Sequence, residues 1–138
     1  MSGSLQQAVV GSAVAHATFG PLGREDLRRY AEASGDLNPL HLDPAFARHA
    51  GFEDVIVHGM LGMALLGRLL TDAFPSLKLQ RFKTRFCSVI PVGRPIVCVA
   101  KLAARHGAVA EIVLTAAPLG GPISIEGTAM LALPPGSG

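Results

Sequence analysis

The sequence carries little charge for a protein of its length. Only 16% of its 138 residues are charged, while 49% are hydrophobic, and the formal net charge is +2. So small a net charge, with basic residues spread along the chain, argues against a nucleic-acid partner. Low charge beside so much apolar content predicts that part of the surface is buried against a second copy, and we therefore expect a homo-oligomer.

Cysteine is also scarce, since the chain contains only Cys87 and Cys98. Both lie in apolar stretches and far apart, which predicts buried, reduced thiols in a reducing compartment and no zinc or redox motif. The N-terminus lacks a basic segment followed by an apolar one, so no signal peptide is expected. The longest apolar segment, residues 55–70, contains His58 and Arg68 and is too short to span a membrane. These absences predict a cytoplasmic protein.

Helical patterns occupy the first half of the chain, and strand patterns occupy the second. Spacing and end signals predict helices over residues 24–34, 44–49 and 59–73. Alternation and turn signals predict strands within 5–19 and over 78–90, 95–105, 108–117 and 123–133. Short loops predict an antiparallel meander, and the third helix, apolar on nearly every face, is expected to be buried. The predicted class is α+β, one domain over residues 1–138 in which a curved antiparallel sheet packs on a long helix, with a disordered tail over 134–138.

The connector between the first two helices is the most informative stretch. Gly35 predicts a left-handed end to the first helix, and Asp43 followed by Pro44 predicts the start of the second. Between these signals, Asp36 and His41 lie five residues apart. A carboxylate and an imidazole so placed can share one water and move its proton in either direction near neutral pH. Asp and Asn are also ordinary turn residues, and spacing alone leaves both interpretations open.

A second candidate lies where residues 55–58 lead into the long helix. The first N–H groups of a helix have no intrahelical acceptor and lie at the positive end of its dipole. Gly59 would let a ligand oxygen approach that backbone closely, and a donor there could stabilise a thioester carbonyl as it becomes an enolate. Alternatively, Gly59 only eases a tight turn, and His58 is a core histidine bonded to backbone.

A row of basic residues alternates with apolar ones over residues 81–86. Arg81, Lys83 and Arg85 share one face of the predicted strand, and Phe82, Thr84 and Phe86 share the other. The basic row could meet the phosphates of coenzyme A or phosphopantetheine, or an acidic carrier protein. It could equally be a solvated strand face.

Three residues invite a metal interpretation, namely His41, Asp43 and His49. Asp43 is better used as a helix cap, and no two histidines lie one helical turn apart. No metal is therefore expected.

The connector resembles a known family signature. Residues 34–44 read Ser-Gly-Asp-Leu-Asn-Pro-Leu-His-Leu-Asp-Pro, and His58-Gly59-Met60 follows. Together they resemble the signature of the MaoC-like, (R)-specific enoyl-CoA hydratase family, and the resemblance extends loosely over residues 20–133. It implies a hot-dog fold, in which the sheet wraps the long helix, and a dimer with active sites near the subunit interface. Family members often carry a serine on the central helix where this chain has Gly67.

The resemblance also implies a reaction and the residues that perform it. Asp36 and His41 would activate one water, the Gly59 N–H would form the oxyanion hole, and Asn38 and His58 would support the site. The reaction would be the reversible hydration of trans-2-enoyl thioesters to (R)-3-hydroxyacyl thioesters. Coenzyme A or phosphopantetheine would be the substrate's carrier, and no further cofactor is expected.

Three alternatives stay open. A (3R)-hydroxyacyl-ACP dehydratase of fatty acid or polyketide synthesis would use the same chemistry on an acyl carrier protein. A hot-dog thioesterase would place a carboxylate on or beside the central helix, but no Asp or Glu occurs between Gly59 and Leu70, and the first is Asp72. A non-catalytic partner subunit would not need an intact pair of Asp36 and His41.

Overall fold

The chain forms four helices, one 3₁₀ turn and five strands over residues 2–134, the part that this computed structural model describes. The helices are α1 (Ser2–Gln7), α2 (Arg24–Ser34), α3 (Pro44–His49) and α4 (Gly59–Ala73), with the 3₁₀ turn at Pro39–His41. The strands are β1 (Ala13–Phe19), β2 (Lys78–Phe86), β3 (Ile96–His106), β4 (Val109–Pro118) and β5 (Ile125–Ala132). The predicted helices are confirmed with their bounds, and so is the α+β class with the hot-dog arrangement of one sheet against one long helix.

Two elements differ from the prediction. No pattern in the sequence predicts α1, and β2 ends at Phe86 instead of continuing to residue 90. Beyond Phe86 the chain leaves the ladder, because the N–H groups of Cys87 and Ser88 both bond to the Ser124 carbonyl, outside β5. Except for Pro134, the predicted disordered tail lies outside the described residues.

The sheet is antiparallel, with strand order β1-β3-β4-β5-β2. β3, β4 and β5 form the predicted meander, but β2 pairs with β5 and not with β3, so the prediction was wrong for β2. The connection over residues 87–95 explains the difference, because it is bonded to other segments along its length. Its contacts include those of Ile90 with Val57 and of Gly93 with Leu22, which carry the chain past the end of the sheet to β3.

α4 buries one face against the sheet and leaves the other uncovered. Leu66, Leu69 and Leu70 are 0–3% exposed and belong to the core, whereas Met60 is 55% exposed and Ala64 is also exposed. The prediction that this helix is buried on every face is therefore wrong for a single copy of the chain. The sheet covers a single side of the helix, and an apolar face remains for another partner.

The cysteine prediction holds for one thiol only. Cys98, in the middle of β3, is fully buried, but Cys87 is exposed because it follows the last residue of β2. Within residues 2–134, no helix has the length and apolarity needed to cross a membrane.

Two glycines of α4 provide a test of how the helix packs. A Cβ at position 62 would lie 2.5 Å from Ile125 Cδ1, whereas one at position 67 would lie 3.4 Å from Phe82 Cε2, an ordinary contact. Overpacking a core costs about 1–3 kcal/mol, and replacing a helical glycine by alanine otherwise gains about 1 kcal/mol. In urea unfolding we expect Gly67→Ala to be more stable than Gly62→Ala by about 1–3 kcal/mol. Equal stabilities would contradict the close packing of α4 on β5.

Candidate active site

Local hydrogen bonds fix the connector between α2 and α3. Gly35 ends α2 in the left-handed region, at φ +80°, and Asp43 Oδ1 caps α3 by accepting from the Ala45 and Phe46 N–H groups, as predicted. Between these caps, Asp36 Oδ1 accepts from the Asn38 N–H at 3.3 Å, and Asn38 Oδ1 accepts from the Leu40 N–H. Both side chains therefore form turns of the kind typical of Asp and Asn. Asp36 Oδ2 takes no part in this turn.

His41 and Asp36 face each other across a gap that suits one water molecule. His41 Nδ1 lies 2.8 Å from the Ile56 carbonyl. Because a carbonyl only accepts, Nδ1 carries the hydrogen and Nε2 keeps its lone pair. Nε2 lies 3.9 Å from Asp36 Oδ2, too far for a direct hydrogen bond. A water about 2.8 Å from both atoms would subtend an angle of about 90°, so the pair can hold and deprotonate one water.

His58 lies directly behind this pair. It is 1% exposed, and its Nε2–H donates to the Asp36 carbonyl at 3.2 Å. Its ring stacks on His41 with centroids 3.9 Å apart and meets the Tyr30 ring edge-on at 4.8 Å. Burial lowers the pKa of His58, and the neighbouring His41 lowers it further. The alternative interpretation of His58 as a core histidine bonded to backbone is confirmed. The sequence did not predict that His58 would contact both Asp36 and His41.

The start of α4 offers a free backbone donor beside His41. Among the described residues, the Gly59 N–H donates to no acceptor, as expected for the first residue of a helix. A Cβ at this position would lie 3.2–3.3 Å from three ring atoms of Phe86, so a side chain here would crowd that ring. The glycine thus has a packing role whether or not a ligand uses its N–H.

A pocket of about 350 Å³ lies next to this donor. His41 and Gly59 contribute to its wall, and most of the remaining wall is apolar, including Ile56, Phe86, Ile90 and Ile125. Asp36 lies outside it, with a half-exposed side chain beside His41. A small apolar pocket with a few polar groups at one side is the usual form of a small-molecule site.

Sequence reasoning missed most of the pocket wall. Phe86, Cys87 and Ile90 come from the end of β2 and the connection that follows, and Ile125 comes from β5. The only available signal was that Phe86 ends an alternating strand, which says nothing of its proximity to Gly59. These contacts depend on β2 pairing with β5, which the sequence did not reveal.

Asp36, His41 and His58 offer a possible set of metal ligands that the sequence did not suggest. Their ligand atoms lie within 4.8 Å of one another. An imidazole binds a metal in the plane of its ring, and two stacked rings cannot direct their in-plane lone pairs at one point between them. Asp43, one of the three residues in the metal interpretation of the sequence, caps α3 instead. The arrangement suits a shared water better than a metal.

The basic row on β2 is only partly free. Arg85 pairs with Glu126 on the neighbouring strand, whereas Arg81 and Lys83 are exposed. The predicted period-two alternation is retained at Arg81, Lys83 and Arg85, since the bulge between Leu79 and Arg81 lies before the row. Contact of this row with coenzyme A phosphates or a carrier protein stays a prediction.

Known proteins resemble this chain in sequence and in fold. The family described as "MaoC like domain" matches residues 5–118. The mitochondrial 3-hydroxyacyl-[acyl-carrier-protein] dehydratase of Arabidopsis thaliana is 43% identical over 72 residues, 52% of this chain and 43% of that protein. The (R)-specific enoyl-CoA hydratase of Aeromonas caviae is 49% identical over 53 residues, 38% of this chain and 40% of that protein. The matched part is thus less than half the length of these curated relatives.

Solved structures match over almost the whole chain. The (R)-hydratase from Aeromonas caviae involved in PHA biosynthesis superposes with a TM-score of 0.84 and 31% identity, covering 94% of this chain and 99% of that one. An R-hydratase from Pseudomonas aeruginosa gives the same TM-score at 25% identity, covering 94% of this chain and 84% of that one.

The two thiols should differ sharply in reactivity. Burial raises the pKa of the Cys98 thiol to about 12, whereas Cys87 is exposed and lines the pocket. Since the thiolate is the nucleophile, we expect iodoacetamide at neutral pH to label the native chain once, at Cys87. Intact mass with Cys87→Ser as the control measures this. Labelling of Cys98 before unfolding would contradict its burial in β3.

Proposed function

We infer the reaction of this chain from one premise: the chain belongs to the MaoC-like domain family. We propose that it adds water reversibly to trans-2-enoyl thioesters, giving (R)-3-hydroxyacyl thioesters. The observation that carries the proposal is the 3.9 Å separation between Asp36 Oδ2 and His41 Nε2, beside an apolar pocket and the free Gly59 N–H. Relatives named as (R)-specific hydratases and as 3-hydroxyacyl dehydratases support it, since these names describe the two directions of one reaction.

The proposed mechanism assigns one step to each group. The thioester carbonyl accepts a hydrogen bond from the Gly59 N–H, which stabilises the enolate formed when water adds at the β-carbon. Asp36 orients the water, and His41 Nε2 takes its proton. The pair then returns a proton to the α-carbon, so that water has added across the double bond from one face. Dehydration follows the same path in reverse.

The acyl carrier is a finer proposal. Coenzyme A and the phosphopantetheine of an acyl carrier protein present the same thioester to the site, and the free cations Arg81 and Lys83 could meet the phosphate of either. The first proposal is coenzyme A, with a (3R)-hydroxyacyl-ACP dehydratase as the alternative. Turnover of coenzyme A and carrier-protein thioesters of one acyl chain at equal concentration would decide between them.

The thioesterase alternative is less well supported by the site. Asp72, the first carboxylate after Gly59, is exposed at the far end of α4 and pairs with Arg68 at 3.3 Å. It lines no part of the pocket beside His41. Release of free thiol from an acyl thioester at the rate of hydration would support a thioesterase.

We also propose that the chain acts as a homodimer in the cytoplasm. Several large apolar side chains are exposed on the connector, α3, α4 and β2, namely Leu37 (63%), Phe46 (47%), Met60 (55%) and Phe86 (50%). An apolar surface of this kind is typical of a protein–protein contact. We expect light scattering to give twice the mass of one chain. A stable monomer with full hydratase activity would disprove the dimer and leave the reaction intact.

Two substitutions test the proposed pair. We expect Asp36→Asn and His41→Asn each to lower the rate of hydration of crotonyl-CoA by roughly 10²–10⁴-fold. Asparagine at position 41 can still donate an N–H to the Ile56 carbonyl, as His41 Nδ1 does, but it has no atom in the place of Nε2. This variant therefore removes the proposed base and keeps the contact to Ile56. The measurements are the loss of enoyl absorbance and the chirality of the product.

The matched control for these variants is Asp43→Asn in the same connector. Asn caps a helix as well as Asp does, so we expect this variant to retain full activity. Near-normal turnover by a folded Asp36→Asn or His41→Asn variant would disprove the assignment of that residue to the activation of water. No turnover by the unmodified protein would direct the search to longer acyl chains, carrier-bound substrates and a partner subunit.

A further inference from the structure

His58 is a buried titratable residue that the mechanism above does not use. It is the residue before α4, 1% exposed, and it contacts Asp36, His41 and Tyr30. Because only 1% of its surface is exposed, we place its effect on the site in its contacts with these neighbours and not in contact with substrate. Its position between both members of the proposed pair indicates a role in arranging them.

The hydrogen bonds of His58 determine its tautomer. Nε2 lies 3.2 Å from the Asp36 carbonyl, which can only accept, so Nε2 carries the hydrogen. Nδ1 is buried and has no hydrogen-bond partner among residues 2–134. A proton on Nδ1 would therefore create a buried donor without an acceptor, which is strongly unfavourable. Burial and the charge of His41 both lower the pKa of His58, in agreement with a neutral ring.

We infer, on the basis of the proposed function, that His58 is a positioning residue that holds Asp36 through its carbonyl and His41 through ring stacking while remaining neutral. His41 is then the only imidazole of the stacked pair that accepts the proton from water. The inference stands on the hydrogen bond to Asp36, the 3.9 Å stack and the unpartnered Nδ1.

The hydrogen bond and the stack act on different degrees of freedom. The bond to the Asp36 carbonyl joins the connector to the start of α4, and so fixes where the Asp36 backbone lies. His41 Nδ1 donates to the Ile56 carbonyl, which fixes one atom of its ring. The His58 ring stacks on one face of the His41 ring and so helps to keep Nε2 directed at Asp36 Oδ2.

The neutrality of His58 matters when His41 becomes charged. Two imidazolium rings with centroids 3.9 Å apart would repel each other strongly in a partly buried site. The titratable groups facing His58 are Tyr30 from α2, Asp36 from the connector and His41 from the 3₁₀ turn. Burial and His41 lower the pKa of His58 by more than the Asp36 carbonyl and carboxylate raise it.

The first test is spectroscopic and needs no turnover. Long-range ¹H–¹⁵N spectra of the unmodified protein, assigned with His58→Gln, report the protonation of both ring nitrogens of each histidine. We expect neutral His58 to carry its hydrogen on Nε2 and to become protonated at a lower pH than an ordinary histidine, because burial and His41 lower its pKa. A His58 that is protonated at pH 6 to 7, or that carries its hydrogen on Nδ1, would overturn the inference.

The second test separates positioning from simple filling of space. His58→Phe keeps a flat ring on His41 and loses the donor, whereas His58→Gln keeps an N–H near the place of Nε2. We expect the Phe variant to lose about tenfold in kcat with little change in KM, because the hydrogen bond to Asp36 is gone, and the Gln variant to lose only about threefold, because it keeps that donor but lacks the ring stacked on His41. His49→Gln, at the exposed end of α3, is the control that should leave kcat unchanged.

The outcomes distinguish this inference from the proposed reaction. Equal activity of the Phe variant and the unmodified protein would disprove positioning while leaving the hydratase proposal in place. A neutral Nε2–H tautomer in a protein that hydrates no thioester would disprove the hydratase proposal while leaving the arrangement of His58 established. If neither variant folds, Gln variants of the other four histidines, His16, His41, His49 and His106, assign His58 by elimination, and the spectra of the unmodified protein still decide whether it is neutral.

Discussion

The site depends on the pairing of two irregular segments, residues 36–41 and 56–58. The Ile56 N–H donates to the Leu40 carbonyl, His41 Nδ1 donates to the Ile56 carbonyl, and His58 Nε2 donates to the Asp36 carbonyl. Neither segment is a regular strand, so histidine side chains provide the hydrogen-bond donors that a neighbouring strand would otherwise provide to these backbone carbonyls. The hydrogen bonds that complete the backbone thereby also set the tautomers of both histidines. Structure and chemistry at this site share the same hydrogen bonds.

Local features of the fold were predictable, and distant pairings were not. The bounds of α2, α3 and α4 follow from signals within a few residues of each end, such as Gly35 at φ +80° and the Asp43 cap. The place of β2 depends on a pairing with β5, whose paired residues lie 39 to 54 positions away, and no alternation pattern specifies that pairing. Cys87 was misjudged for the same reason, since its exposure follows from where β2 leaves the sheet. A strand pattern indicates which residues share a face but does not identify the neighbouring strand.

The candidate site shows the same division. The proximity of Asp36 and His41 follows from a short, stiff connector, and their water-sized gap is a consequence that the five-residue spacing made possible. The role of His58 was visible in sequence only as a choice between a core residue and a supporting one. The carbonyl that accepts from its Nε2 lies 22 positions away, on Asp36, and the stacked ring belongs to His41; its Nδ1 is left without a partner by the surrounding packing. A buried polar atom without a partner is a property of packing and cannot be inferred from residue order.

The uneven burial of the pair points to what one chain lacks. The His41 side chain is 12% exposed, but that of Asp36 is 50% exposed, and the uncovered face of α4 begins at Met60, next to Gly59. Stabilisation of an enolate by a backbone N–H is strongest where water is excluded, because a high dielectric weakens the interaction. A site as exposed to water as this one would lose part of that stabilisation of the enolate. The chain carries little charge and exposes apolar side chains around the site, so a second copy could bind there and cover its open side. We therefore expect dimer formation and efficient catalysis to depend on the same surface.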